Sequence, residues 1–484
     1  MDAHEILWTD TGPYQQRYEK TATALMAVER ALHLRRPLNG GEDEFLALYT
    51  CLAAAPSETF TTIWEDPFSY FWTRLAYELT GWCLNPEPLP DVLKAYCAGL
   101  GTDEPHRALA LHLEEFKKCI IALDLISGTH RRFDRPLRTE LPFSIPGTSL
   151  SMLGQGSIEV VGSNGRMLEV VHNGKSLQLR AGAAVSDSDR PRLVECPLLR
   201  DQDLEIKLKP ETFNLPGLDA ARGFRGLSEN YQVQQTELLR EALALIERHQ
   251  PATLEHMREL VQVIAFKPPG ADEYSNVSFS DVPGAFILSA VRHPYWIADG
   301  LIHELLHNRL FFILDGGEIL QDVRETAERS EFYSPWRDDL RPLSGLLHAV
   351  YVYVGVGKFW HAACASGETT GIQRQYVEDQ AVRAVLQLKI GIAQLRRHAR
   401  FTESGILLFR ELERDVDSLA ASMRKLNLSP AAPGTTARSD GQLVPFAMGN
   451  DGRPVSILYS IQSHAEKFDV HRQCANLTEI LNLD

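Results

Sequence analysis

The sequence predicts an α+β fold that is mostly helical, with a β-rich insertion and a helical C-terminal part. Apolar residues recur at helical spacing through most of the first 130 residues and again through 345–427, whereas apolar and polar residues alternate from about 140 to 208. A chain of 484 residues can hold more than one core. We therefore expect four parts: a helical region at 1–138, a β-rich meander at 139–210, a mixed region at 211–428, and a linker with a C-terminal segment at 429–484.

In the first half, amphipathic spacing predicts helices and short turn sequences predict hairpins. The helices are expected at 14–35, 42–55, 69–83 and 104–126. Asn164-Gly165 and Asn173-Gly174 each separate two alternating segments, and such pairs favour the tight turns of β-hairpins. The meander that contains them either binds a peptide by strand addition at its edge or is a plain structural insertion.

The second half returns to helical spacing around a few short strands. A helix is expected at 227–248, followed by strands at 261–266, 276–279 and 285–288. Ser344 is expected to cap a helix that includes 345–365. Further helices are expected at 373–398 and after Thr402, a linker at 429–441 and a strand at 455–459.

Residues 303–307 read His-Glu-Leu-Leu-His, an HExxH motif. Residues four apart share one face of a helix, so His303 and His307 can bind one metal ion together. Asp299-Gly300 is predicted to cap this helix and Asp315-Gly316-Gly317 to end it. Strands followed by a helix with this motif are the general organisation of zincin-like metalloenzymes. We therefore expect a zincin-like helix beside a small sheet, and a metal-binding catalytic domain at 211–428.

Two imidazoles do not complete a metal site, and the sequence offers two kinds of third ligand. One is a glutamate, as in a gluzincin-type zinc peptidase, and Glu328 is the best placed of Glu325, Glu328 and Glu331. The charged run that contains these glutamates is also typical of a solvated helix face. The other candidate is His348, which follows a loop rich in arginine. A metzincin is excluded because xxGxxH does not follow His307.

The segments around these histidines resemble a known family. Residues 301–307, Ser334-Pro-Trp-Arg337 and Arg341-Pro-Leu-Ser-Gly-Leu-Leu-His348 are similar to the HExxH-motif peptide-modification family, whose members accompany ribosomally made, post-translationally modified peptides in bacterial gene clusters. The resemblance covers about 270–365 well and the flanking regions only loosely. It implies an Fe(II)- and 2-oxoglutarate-dependent peptide β-hydroxylase whose partner is a precursor peptide. We infer His348 as the third metal ligand from this motif.

A 2-oxoglutarate enzyme needs a cation for the distal carboxylate of its cosubstrate. Arginine suits this task because its guanidinium grips a carboxylate at two points, and Arg341 and Arg337 are the candidates. The alternative for each arginine is an ordinary ion pair with Asp338, Asp339 or Glu331.

Glu304, the acid of the motif, has a different role in each class of enzyme. In a zinc peptidase it is the catalytic general base that deprotonates a metal-bound water. In an oxygenase that task disappears, and the carboxylate orients a water or a ligand instead.

The composition limits the partners and the cellular location that we expect for the protein. The net charge of −15 argues against a nucleic-acid or anionic-membrane surface, and no apolar run approaches the about 18 residues of a membrane span. The seven cysteines include no CxxC pair and the N-terminus does not resemble a secretory signal, so we expect a cytoplasmic protein with reduced thiols. The oligomeric state stays open.

Three functions therefore compete. The first is the Fe(II)/2-oxoglutarate peptide hydroxylase. The second is a cytoplasmic zinc metallopeptidase that trims a peptide, with Glu328 as third ligand. The third is a non-catalytic peptide-binding partner whose metal only stabilises the fold.

Overall fold

The computed structural model describes most of the chain between residues 42 and 428. The described residues are 28, 42–84, 91–181, 190–201, 204–209, 229–267, 276–291, 293–321, 331–428, 435–437, 443–445, 461 and 464. The expected helix at 14–35 (apart from residue 28) and the expected strand at 455–459 lie outside them, as do Glu325 and Glu328. An α+β, mostly helical fold is confirmed.

The N-terminal part is a group of helices packed on an aromatic core. The rings of Phe45, Trp72 and Phe116 lie within 5.0–5.8 Å of one another, measured between centroids. The helices are α1 Glu42–Ala53, α2 Ser57–Trp64, α3 Pro67–Leu84, α4 Asp91–Gly99, α5 Pro105–Glu114 and α6 Lys117–Ser127. The expected helix at 104–126 is therefore two helices, α5 and α6.

Two small antiparallel sheets follow. One has the strand order β1-β4-β5-β6 and the other β2-β3-β7. Both expected hairpins are confirmed: Gly165 lies in the β4–β5 turn and Asn173-Gly174 in the β5–β6 turn. The strands are β1 His130–Glu140, β2 Phe143–Ser144, β3 Leu150–Leu153, β4 Ser157–Asn164, β5 Met167–His172, β6 Lys175–Arg180 and β7 Arg192–Glu195.

A third, five-stranded sheet lies between the two halves of the molecule, with the order β11-β12-β10-β9-β8. Its strands are β8 Leu198–Asp201, β9 Leu204–Lys209, β10 Val263–Lys267, β11 Val277–Ser278 and β12 Ala285–Ser289. Because side chains alternate along a strand, Val263 and Ala265 pack on the N-terminal core, whereas Ile264 and Phe266 pack on the C-terminal core. Both faces of the central strands are thus covered, as parallel pairing requires.

The C-terminal core is built from long helices. They are α7 Glu229–His249, α8 Pro251–Leu260, α9 Pro294–Asp315, α10 Leu343–Ser366, α11 Gly371–His398 and α12 Glu403–Lys425, with a short hairpin of β13 Thr435–Ala437 and β14 Leu443–Pro445. Helix α9 carries the HExxH motif and packs against β12, α7 and α10. None of the helices in the described part of the chain has the length and apolar character needed to cross a membrane.

Two predicted helix starts are wrong. Helix α9 begins at Pro294 with His293 as N-cap, so Asp299 lies inside the helix and does not cap it. Proline is favoured in the first turn, where its missing N–H costs nothing, and this decides the start. Helix α10 begins at Leu343 after the N-cap Pro342, so Ser344 is also inside its helix. By contrast, the end of α9 at Asp315 and the helix after Thr402 are confirmed, and the structure adds that the Thr402 side chain caps α12.

Candidate metal centre

One face of α9 lines a cavity, although most of the helix is buried. Asp299, His303, His307 and Phe311 recur every four residues and are partly accessible, whereas the neighbouring leucines and isoleucines are buried. Four-residue spacing places these side chains in a row along one face of the helix. The HExxH pair is therefore presented to open space while the helix stays fixed in the core.

The two motif histidines point their ring nitrogens at a common position. The Nε2 atoms of His303 and His307 are 3.1 Å apart. Two nitrogens bound side by side to one first-row metal at about 2.1 Å lie about 3.0–3.4 Å apart, so the pair fits a metal. The same distance also fits one neutral imidazole donating a hydrogen bond to the other.

Burial keeps these imidazoles unprotonated, as metal ligands must be. It lowers the pKa of His303 to about 4. It also holds the pKa of His307 well below its usual value, and the neighbouring His303 and His348 add to that effect. Lone pairs on both rings are thus available at neutral pH.

His348 comes from the first turns of α10 and faces the same space. Its ring centroid is 6.0 Å from that of His307 and 5.4 Å from that of Phe311, and burial lowers its pKa to about 4. Imidazoles sharing one metal would have centroids about 4.6–5.3 Å apart. The His303–His307 separation of 4.7 Å meets this, whereas His348 must approach by about 1 Å. Accordingly, no three His, Cys, Asp or Glu side chains among the described residues already form a complete metal-binding group.

Glu304 is buried beside the histidine pair. The Ser278 hydroxyl donates a 2.7 Å hydrogen bond to Oε2 of Glu304. Burial raises the pKa of Glu304 to about 7, although the Ser278 hydrogen bond and the charge of Lys267 oppose the rise. A carboxyl group with this pKa exchanges protons readily at neutral pH.

The loop at 331–342 brings two arginines to the same cavity. Its ends are joined by two backbone hydrogen bonds between Phe332 and Arg341. Arg337 and Arg341 are half-exposed, and both pair with Asp339, at 3.0 Å and 3.6 Å. The ordinary ion-pair alternative is therefore present in the structure. Such exposed pairs contribute only about 0–1 kcal/mol, so a stronger anionic ligand can displace Asp339.

These groups line one cavity of about 1180 Å³. His303, Glu304, His307, Arg337, Arg341 and His348, all expected from the sequence, lie on its wall. Sequence reasoning missed Lys267, Asn276 and Ser278, which also line it. The only signal for Lys267 was a lysine at the end of an otherwise apolar strand, where a buried cation is out of place without a function or a partner.

No protein-family profile matches the chain, and comparison with characterised proteins finds no relative. Function must therefore be inferred from the chemistry of the site.

Proposed function

We propose that the chain is an Fe(II)- and 2-oxoglutarate-dependent hydroxylase that adds a β-hydroxyl group to a residue of a ribosomally made precursor peptide. The observation that carries the proposal is the presence of Arg337 and Arg341 in the same cavity as the three histidines. A hydrolytic zinc site has less need of two arginines, whereas a dianionic cosubstrate requires a cation. The resemblance of 270–365 to the HExxH-motif peptide-modification family favours the same reaction. The motif helix lies beside a small sheet, as in a zincin-like fold, and this placement supports a metal centre for either class of enzyme.

His303, His307 and, after a small approach, His348 would hold the metal. When bound by these histidines, Fe(II) would supply the activation of O₂, with 2-oxoglutarate as cosubstrate. Overall, a peptide C–H group, O₂ and 2-oxoglutarate give a peptide C–OH group, succinate and CO₂. A site with three neutral imidazoles keeps the full charge of the metal, and the dianion offsets it.

The remaining charged groups of the cavity would bind the cosubstrate and orient ligands at the metal. Arg341 is assigned to the distal carboxylate of 2-oxoglutarate, with Arg337 as its substitute. Glu304, held by Ser278, is assigned to orienting a water or ligand at the metal.

The edge of the five-stranded sheet offers a peptide a route to this centre. Strand β11 lies at the edge of its sheet, pairs only with β12 within the described residues, and lines the cavity through Val277 and Ser278. An extended peptide could add to such an edge by backbone hydrogen bonds.

The decisive test combines metal analysis with product analysis. Protein purified without O₂ should contain or take up one Fe(II), and a candidate precursor peptide incubated with Fe(II), 2-oxoglutarate and O₂ should gain the mass of one oxygen atom. The matched control omits 2-oxoglutarate. A cleaved peptide bond, independent of 2-oxoglutarate, would mean that the hydroxylase proposal is wrong.

A zinc peptidase is the second candidate, and the pKa of about 7 at Glu304 favours it, because a general base works best near the operating pH. Glu304→Gln separates the two. A peptidase should lose nearly all activity, on the order of 100- to 10,000-fold, whereas the hydroxylase should retain part of its 2-oxoglutarate turnover.

A further inference from the structure

A second cavity, of about 470 Å³, is lined in part by the stacked pair Trp336 and Tyr353. We call it the aromatic chamber and define its aromatic lining as Trp296, Trp336, Tyr353, Trp360 and Tyr376. The Trp336 and Tyr353 rings are 4.8 Å apart and nearly parallel, and the Trp360 and Tyr376 rings meet edge to face at 5.7 Å. The Trp296 indole N–H donates to the Tyr376 hydroxyl. The metal centre uses none of these side chains except as a wall.

Asp299 is the acid inside this aromatic lining. It lies on α9 one turn before His303, deep in the protein, yet it is partly accessible because it faces the chamber. Its Oδ2 accepts a 2.7 Å hydrogen bond from the Trp360 indole N–H. Burial raises the pKa of Asp299 to about 6, and the Trp360 hydrogen bond is the one opposing influence. No cation among the described residues contributes to this pKa, so no described residue offsets the negative charge of Asp299.

Arg383 and Asp338 are charged groups that also line the chamber. Burial lowers the pKa of Arg383, although attraction to Asp379 opposes this effect. Asp338 accepts a hydrogen bond from His464 at 3.0 Å. Arg337 lies at the rim beside Asp339. Asp338 thus has an imidazole as partner, whereas no basic side chain in the described part of the chain contributes to the pKa of Asp299.

The chamber adjoins the metal centre. A smaller cavity of about 290 Å³ is lined by Asp299 and Tyr353 from one side and by His303 and His307 from the other. The His303 and Tyr353 ring centroids are 5.2 Å apart. A ligand bound near the histidines can therefore extend a side chain past Tyr353 toward Asp299.

We propose that the aromatic chamber binds the cationic side chain of a lysine or arginine residue of the substrate. Aromatic faces attract a desolvated cation through the negative charge of the ring face. A buried carboxylate at the same place adds a charge-assisted hydrogen bond. A neutral side chain would gain neither, so the chamber selects for positive charge. The identification of the ligand as a residue of a peptide rests on the proposed peptide hydroxylation.

The test measures binding alone, with the full chain freed of metal by a chelator. The probes are N-acetyl-arginine amide and N-acetyl-lysine amide, with N-acetyl-citrulline amide and N-acetyl-norleucine amide as neutral analogues of similar shape. Isothermal titration calorimetry should show each cationic probe binding at least about tenfold more tightly than its neutral analogue.

Asp299→Asn should weaken cation binding by about tenfold or more while leaving the weak binding of the neutral analogues unchanged. The asparagine oxygen can still accept from Trp360, so the fold should be retained, as circular dichroism would check. The matched control is Asp415→Asn, a buried acid of α12 that pairs with Lys358 and does not line the chamber, and this variant should leave binding unchanged.

A second pair of variants guards against a folding defect in Asp299→Asn. Trp296→Phe keeps an aromatic face and should retain cation binding, whereas Trp296→Leu should lose about tenfold. Equal affinity for cationic and neutral probes, unchanged binding in Asp299→Asn, or no measurable binding of any probe would overturn the assignment.

These outcomes are distinguishable from failure of the hydroxylase proposal, because the binding measurement uses neither 2-oxoglutarate nor O₂. Selective cation binding without peptide oxidation would support the proposed cation-binding chamber and refute the proposed hydroxylation. If a peptide without lysine or arginine is oxidised at the same rate as a basic peptide, the proposed hydroxylation is supported and the proposed cation-binding chamber is refuted.

Discussion

Replacing Glu304 with glutamine should change how the stability of the metal-free protein depends on pH. Glu304 is 3% exposed and accepts a hydrogen bond from Ser278. Burial raises its pKa from 4.5 to about 7. The folded protein therefore holds this proton more tightly than the unfolded chain does. The stability that this preference contributes is fully present below pH 4.5 and is lost as pH rises through about 7.

The shift sets the magnitude. At 1.36 kcal/mol for each pH unit, a rise from 4.5 to about 7 corresponds to about 3 kcal/mol, of which about 2–3 kcal/mol falls between pH 5 and pH 8. Glutamine has a similar shape and does not titrate. The wild type should therefore lose about 2–3 kcal/mol of unfolding free energy relative to Glu304→Gln over this range.

Urea denaturation of both proteins, with a chelator present, at pH 5 and pH 8 measures the difference. Ser278→Ala should enlarge the pH dependence, because removing the donor makes the carboxylate harder to ionise. The double variant Ser278→Ala with Glu304→Gln should show the same pH dependence of stability as Glu304→Gln alone. Adding Fe(II) or zinc should reduce the pH dependence of the wild type, because a cation beside Glu304 favours its charged form. Parallel stability curves for wild type and Glu304→Gln would refute the account of Glu304 as a buried acid.

Further predictions concern the metal and its cosubstrate. His303→Ala and His307→Ala should each lower metal affinity by more than about 100-fold, as metal analysis after dialysis would show. The unfolding midpoints should be nearly unchanged. Stoichiometric metal in the double variant would mean that the motif has a structural role and does not bind the metal. Because burial lowers the pKa of His303 and of His348 to about 4, metal should stay bound as pH falls through 6.5 and be released only near or below pH 4–5; release centred at pH 6–7 would contradict this. Arg341→Lys should raise the 2-oxoglutarate concentration for half-maximal turnover by about tenfold, because the two-point grip is lost. Arg337→Lys, measured in parallel, tests whether Arg337 has this role instead. An unchanged requirement in both arginine variants would remove this loop from cosubstrate binding.

Local patterns in the sequence predicted much of the fold. The hairpin turns at Gly165 and Asn173 were predictable because few residue pairs suit such turns. The HExxH helix was predictable because helical periodicity alone brings His303 and His307 together. Its start was not: Asp299 resembles a cap in sequence, but a proline and an N-cap further upstream begin the helix.

The parts of the site that could not be predicted depend on contacts distant in sequence. Lys267 and Ser278 reach Glu304 only because β10 and β11 belong to the sheet beneath α9. The aromatic chamber gathers Trp296 from α9, Trp336 from a loop and Tyr376 from α11, and no local pattern relates these residues. The position of His348 depends on how α10 packs on α9, which sequence spacing does not determine.

The two walls of the central cavity differ in how firmly they are held. Helix α9 is tied to the sheet because Asn308 accepts a hydrogen bond from the Gly284 backbone N–H, and Glu304 accepts one from Ser278. The opposite wall is a surface loop whose ends are joined at Phe332 and Arg341, and its arginines Arg337 and Arg341 form ion pairs with the exposed Asp339. The exposed acids of this loop, Asp338 and Asp339, could therefore be exchanged without disturbing the metal-binding wall, whereas the buried Tyr333 and Ser334 anchor the loop to the core. A protein engineer seeking to redirect such a catalyst to a new peptide would begin with these two positions and leave the helix untouched.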